Sequence, residues 1–274
     1  MARPADVNDY FPELPTELEL DILDLTARMY PQHATRLAVV SKRVQSLIEA
    51  IVYETVVLDF PLRTTKLFLR TVSSRSPEFF AKTVKNLYLT NMVTYAQAEQ
   101  ILSVCTGITK LTCWVDVPSS SESLLPLIHT KSLERLSVKV ETLWKEPSLN
   151  STLFHELFPN LSHIDIVNPR ITSSVAVDWS WIYDLPSLTH LSFGELFAIK
   201  HLHILEFLQH LFTNCKLLRM LIVISNDPVF LRELQNIDIR DPRLVVLPNF
   251  HHPKTLPAYW EGIRRGGTGL LEIR

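Results

Sequence analysis

Glycine is scarce in this chain, with 6 in 274 residues, and four of those (Gly262, Gly266, Gly267 and Gly269) lie near the carboxyl end. Loops that cradle nucleotide phosphates need glycine where the backbone turns through positive φ or closes on the ligand without a Cβ. No such cluster follows a strand-like segment, which excludes the kinase, P-loop and dinucleotide-binding classes. Cysteine is also rare. Cys105, Cys113 and Cys215 are odd in number, lack Cys-x-x-Cys spacing, and read as reduced, buried thiols of an intracellular protein. Charge of one sign is missing too: 27 Lys and Arg stand against 29 Asp and Glu, a net of −2, so no general basic field attracts nucleic acid or anionic lipid. The longest apolar runs, such as Met220 to Ile224, fall far short of the roughly 18 residues a spanning helix requires. Met1 to Phe11 is polar and carries no signal-peptide core. Neither nucleic acid nor membrane is expected as a partner, and a cytoplasmic or nuclear location is.

Catalytic motifs are lacking as well. His155-Glu156 opens a His-Glu-x-x-His zinc pattern, but Pro159 occupies its last position. No serine sits in a Gly-x-Ser-x-Gly turn. His201 and His203 are two residues apart, on different faces of a helix. His203 and His210 can share a face near Cys215, and His251-His252 lies in a proline-rich stretch; solvated or satisfied histidines are the ordinary account of both. Gly266-Gly267-Thr268-Gly269 lacks the strand and helix of a phosphate loop. No enzyme activity, cofactor or metal is expected.

What the chain does have is a core-forming composition, 46% apolar and 20% charged, and an internal repeat. Six segments fit an L-x-x-L-x-L pattern: Val84-x-x-Leu87-x-Leu89, Ile108-x-x-Leu111-x-Cys113, Leu133-x-x-Leu136-x-Val138, Leu161-x-x-Ile164-x-Ile166, Leu188-x-x-Leu191-x-Phe193 and Leu218-x-x-Leu221-x-Val223. Their starts are 24, 25, 28, 27 and 30 residues apart, and Tyr53-x-x-Val56-x-Leu58 and Asp241-x-x-Leu244-x-Val246 extend the series. Each segment alternates apolar and polar residues over a strand's length. Between them lie stretches with helical period, as at Leu202, Leu205, Leu208, Leu211 and Phe212. Strand-then-helix units repeated in this way predict one parallel sheet with a helical layer.

The pattern resembles the leucine-rich repeat family over about residues 53 to 249. The asparagine typical of that family, nine positions into the motif, is present at Asn226, with Asp116 as a stand-in, so the resemblance implies an irregular solenoid with one curved parallel sheet and helices on its outer face. In such a stack, equivalent polar positions form columns across the sheet. One reads Asn86, Lys110, Arg135, His163, His190 and Met220; the next reads Tyr88, Thr112, Ser137, Asp165, Ser192 and Ile222; a third contains Thr90, Trp114, Lys139, Val167, Gly194 and Ile224. Lys110, Arg135, His163 and His190, with Tyr88 and Trp114 beside them, are the candidates for holding an acidic or phosphorylated segment of a target protein. A solvated sheet face with scattered charges is the plainer account of the same residues.

The first fifty residues follow a different pattern. Thr16 and Glu19 have the spacing of a capping box, and Leu18, Ile22, Leu25 and Met29 then form one apolar stripe. Pro31 ends that helix. A second holds Ala34, Leu37, Ala38 and Val40, and a third beginning near Ser41 carries Val44, Leu47, Ile48 and Ile51. So small a unit has more apolar residues than its own core can hide, and an exposed patch marks a partner site.

Leu14-Pro15-x-Glu17-Leu18, Ile22-Leu23 and Leu37-x-x-Val40-Ser41-Lys42-Arg43-Val44-x-x-Leu47-Ile48 resemble an F-box over about residues 11 to 51, although Val44 stands where many members have an aromatic residue. Tyr53-x-x-Val56-Val57-Leu58 is similar to the strand that follows in F-box proteins of the fungal type. The resemblance implies docking to a Skp-type adaptor of a cullin–RING ubiquitin ligase, with Leu14, Pro15, Leu18, Ile22, Leu37, Val40 and Leu47 containing the adaptor-facing set. The same helices also suit an N-terminal cap on the first repeat, and the two roles can use opposite faces. The expected organisation is therefore mixed α/β: F-box-like helices over 11–52, a repeat region over 53–249, and a Pro/Gly-rich tail over 250–274. The function implied is recruitment of a target to the ligase; the alternative is a repeat scaffold for protein–protein interaction without ligase involvement.

Overall fold

The computed structural model describes residues 14–59, 61–118, 122–128, 132–139, 154–167, 180–194, 201–225, 228–236 and 241–247. The tail from 250, Asn226, His251-His252 and the side chains of His201 and His203 lie outside the described residues. The chain divides into two compact units, residues 1–52 and 53–274.

In the first unit α1 spans Thr16–Met29, α2 Pro31–Leu37, and α3 begins at Lys42 and runs to Glu54. The expected capping box is absent. Thr16 is already the first helical residue, Pro15 stands at the cap position, and the helix opens with the Glu19 amide donating to the Pro15 carbonyl at 3.1 Å. Pro31 serves as the first residue of α2, where its missing N–H leaves no bond unmade. Ala27, Ala34 and Ile48 form the buried centre, with Leu37, Ala38, Val44 and Ile51 packed around them.

The second unit is built on one eight-stranded, all-parallel sheet in which sequence order is spatial order. The strands are β1 Thr55–Leu58, β2 Asn86–Leu89, β3 Lys110–Cys113, β4 Arg135–Lys139, β5 His163–Val167, β6 His190–Phe193, β7 Met220–Ile224 and β8 Leu244–Leu247. Each coincides with one of the eight apolar segments. Alternation sends Leu87, Leu89, Leu111, Cys113, Leu136, Val138, Ile164 and Ile166 into a single core with helical residues such as Phe80, Ala98, Ile101 and Leu208.

The connections are less uniform than the repeat predicts. Full helices, α4 Arg63–Val72, α5 Pro77–Thr83 and α6 Tyr95–Val104, follow the first strands, and α9 His201–Asn214 and α10 Pro228–Asn236 follow β6 and β7. Between β3 and β6 the described residues give only one-turn helices, α7 Leu125–Ile128 and α8 Phe154–Leu157, and a 3-10 turn at Ser180–Ile182. Those connections fill the core from short turns, with Leu124, Leu125 and Ile128 in the first, Phe158 in the second and Trp181, Ile182 and Leu185 in the third.

The two ends of the sheet are finished differently. Beside β1, Tyr53, Phe68, Phe79 and Phe80 pack edge to face, with Tyr53 and Phe79 rings 5.3 Å apart and Phe68 and Phe80 rings 5.7 Å apart. At β8, Arg243 donates to Asp241 at 2.7 Å and to the Phe212 carbonyl at 3.1 Å, and lies 4.8 Å over the Phe212 ring. That guanidinium ties the last strand to the end of α9 and holds the Asp241 carboxyl below its ordinary range.

Gly107, in the turn before β3, is a position where glycine is required. A Cβ built there would stand 1.9 Å from the Ala81 carbonyl oxygen of α5. That atom is backbone and cannot swing away, so α5 and the turn must separate. Gly107→Ala is expected to destabilise the protein by about 2–3 kcal/mol, the range of an overpacked core, read as a lowered denaturation midpoint with an unchanged m-value.

Candidate functional site

Two surfaces carry the residues singled out by the sequence, one in each unit. On the first, Leu14, Leu18, Ile22, Leu25 and Met29 follow one another at helical spacing, and every one is between 49% and 60% exposed. The stripe that would ordinarily form a helix's core contact faces outward, while Ala27 turns inward. Pro15 and Val40 are exposed as well, and Val39 reaches 83%. Leu47 is half-buried. Leu37 is likewise half-buried and packs against the small core of Ala27, Ala34 and Ile48. Leu25, Met29, Tyr30 and Val39 belong to the exposed surface and are absent from the residues the F-box resemblance implies. For Leu25 and Met29 the i, i+3 and i+4 continuation of the stripe was the available signal.

The second surface is the sheet face turned away from the main core. Strand pairing aligns Asn86, Lys110, Arg135, His163, His190 and Met220 in one row. Tyr88, Thr112, Ser137, Asp165, Ser192 and Ile222 form the next. Tyr88 and Trp114 both pack on Val57. Lys110, Arg135, His163 and His190 are all half-buried. Asp116 plays no interior ladder role. Its carboxylate is exposed and accepts a bond from Lys139 at 2.6 Å, an ion pair worth under about 1 kcal/mol at the surface.

His163 and His190 differ from the simple cations that a basic strip suggests. Their rings stack 4.2 Å apart and 3° from parallel. Two imidazolium ions at that separation would repel by about 4 kcal/mol at an effective dielectric near 20, so the pair holds one proton far more readily than two. Burial, with Arg135 and Arg219 assisting, lowers the pKa of His190. The Nδ1 atoms lie 2.8 Å from Ser162 Oγ and Thr189 Oγ1, respectively. Those hydroxyls also donate to the Glu134 and Ser162 carbonyls at 3.1 and 3.0 Å. A hydroxyl has one hydrogen, so both contacts are bonds at once only when Nδ1–H is the donor.

In the second row a chain of side chains crosses three strands. Trp114 Nε1 donates to Ser137 Oγ at 2.9 Å, and Ser137 Oγ donates to Asp165 Oδ2 at 2.6 Å. Asp165 is only 5% exposed, and burial pushes its carboxyl up to about 6 against the opposing effect of Ser137 and Ser192. Ser192, aligned with Asp165 on β6, is fully buried and its hydroxyl makes no hydrogen bond of full geometry.

The described residues hold no cluster of three or more His, Cys, Asp or Glu able to ligate a metal. The cysteines are buried; burial pushes Cys105 and Cys113 up to about 12 and Cys215 to about 11. At about pH 8 roughly one thiol in a thousand or fewer is then ionised. The folded protein is expected to resist a chromogenic disulfide reagent at that pH and to release all three thiols on unfolding; prompt reaction of the native chain would contradict the burial. No helix among the described residues is long and apolar enough to cross a membrane. No family model matches the chain, and no curated protein matches it.

Proposed function

We propose that this chain is a non-catalytic substrate receptor: an F-box-like helical unit that docks a Skp-type adaptor of a cullin–RING ubiquitin ligase, followed by an irregular leucine-rich-repeat-like solenoid that holds a target protein. The observation that carries the reading is the outward apolar line of α1, Leu18, Ile22, Leu25 and Met29, with the exposed Leu14 just before the helix. A helix that buries one apolar side and leaves a second in water gains nothing from the second by itself, and covering such a stripe is the main source of affinity in helix-mediated association. The line begins at the Leu-Pro pair that the F-box resemblance rests on.

The sheet supports the other half of the reading. It presents adjacent rows of side chains at a regular spacing of about 4.8 Å, with Lys110 and Arg135 as fixed cations and Tyr88 and Trp114 as aromatic anchors. Such rows suit an extended acidic or phosphorylated segment. The receptor's contribution to ubiquitin transfer is proximity, and the chemistry belongs to partner subunits. Mixing the purified chain with a purified Skp-type adaptor tests the reading: co-elution at one-to-one stoichiometry is expected, and separate elution at micromolar concentrations leaves a repeat scaffold without ligase involvement.

A further inference from the structure

The histidine stack and the buried carboxylate sit on the same central strands, one row apart. The Nδ1 of each ring faces a hydroxyl that also donates to a backbone carbonyl, and in the Nδ1–H tautomer that satisfies both contacts an arriving proton adds at Nε2. The stacking distance limits the pair to one such proton. Asp165 is linked through Ser137 to the Trp114 indole, so its charge state is transmitted to the aromatic end of the face. Among the described residues, the charged groups that face these three from neighbouring elements are Lys110 on β3, Arg135 and Lys139 on β4, and Arg219 just before β7. Lys139 is paired with Asp116, and β7 contributes Met220, Ile222 and Ile224.

We propose that the His163–His190 stack and the Asp165–Ser137–Trp114 chain form a proton-operated control on this face, which acidification makes more cationic and so more retentive of an anionic polypeptide. The inference rests on the reading of the face as the target site. Around neutral pH the rows carry lysine and arginine cations and an ionised Asp165. Acidification through the range where the raised carboxyl titrates, about pH 8 to 5, removes the Asp165 charge, and any proton the stack takes up adds to the same change. The fixed cations are unchanged, so the whole change is toward positive.

Three measurements on the full chain test this. Emission assigned to Trp114, taken as the difference from Trp114→Phe, is expected to titrate with a midpoint near pH 6 and to become flat in Asp165→Asn; an identical curve in Asp165→Asn overturns the proposal. Carbon-13 NMR of the ring Cε1–H groups is expected to show one proton shared by His163 and His190, with His190→Gln altering the titration of His163; two independent titrations overturn it. A sulfotyrosine peptide, whose charge is constant across this range, is expected to bind about tenfold more tightly at about pH 5.5 than at about pH 7.5. Binding of equal strength at both values overturns the control alone. Absence of binding at both, with the Trp114 and histidine titrations intact, overturns the target-face reading and with it the regulatory use.

Discussion

Leu18→Asp combined with Ile22→Asp is expected to abolish capture of a Skp-type adaptor while leaving the melting temperature of the chain unchanged. Both side chains are about half exposed, so an aspartate at either position stays hydrated and costs the folded state within about 0.5 kcal/mol. In a complex the same two carboxylates would lie in the centre of an apolar contact. Truncating one anchor of such a contact costs about 2 kcal/mol or more, and an uncompensated charge costs more than a truncation, so a loss of at least about a hundredfold in affinity is expected. Isothermal titration against purified adaptor, paired with a thermal melt, separates this outcome from simple unfolding. Ile48→Asp supplies the contrast: Ile48 is one of the three buried residues of the small core, and its replacement should lose binding and folding together. Full adaptor affinity in the double variant would remove α1 from the interface.

The repeat made most of the sheet legible. A strand alternates with period two, and its six-residue motif recurs at intervals short enough that only a parallel neighbour fits, so the aligned rows followed from equal offsets within each motif. The connections were less legible, because the apolar content a connection must supply can come from a short turn bearing Phe158 or Trp181 as well as from a helix. In the helical unit the stripe of α1 could be read, but its direction could not. Leu20 and Leu23 are half-buried and Ala27 fully so, which means α1 is apolar on two sides, and periodicity alone does not say which side meets the core. The capping box failed for a local reason. Pro15 is fixed near φ −52°, occupies the cap position itself, and moves Thr16 into the first turn, where its hydroxyl no longer reaches the amide it was expected to satisfy. On the sheet face, Lys110, Arg135, His163 and His190 could be placed in a row from sequence, whereas the ring stacking and the burial of Asp165 could not. A polar residue at an outward strand position reads as solvated. Here Thr112, Ser137, Asp165 and Ser192 make a row of short side chains beside a row of longer ones, and the short row is largely withdrawn from water.

That withdrawal gives Asp165→Asn an expected sign opposite to most substitutions in a protein interior: stabilisation by about 3 kcal/mol at about pH 8, or a melting temperature higher by about 6–12 °C for a chain of this size. The folded carboxyl titrates at about 6 against an ordinary value of 3.8, so between those values the native state binds more protons than the unfolded chain. The stability this group contributes is complete below 3.8 and is lost as pH rises through 6. At pH 8 the parent therefore carries the full cost of an ionised, buried carboxylate, and the variant carries none. The difference should shrink as pH falls and vanish near pH 4. His190 acts in the other direction, since its lowered value removes stability as pH falls below the ordinary histidine range; parent and variant share that effect, and it cancels when they are compared. The amide also suits the site, because its oxygen still accepts from Ser137. Urea denaturation of both chains across about pH 4 to 8 reads the difference directly, and a variant less stable than the parent at about pH 8 would mean that the serine hydroxyls hold the carboxylate more strongly than burial opposes it. A carboxylate bonded through Ser137 to the Trp114 indole is placed to report its protonation to the face proposed above as the target site.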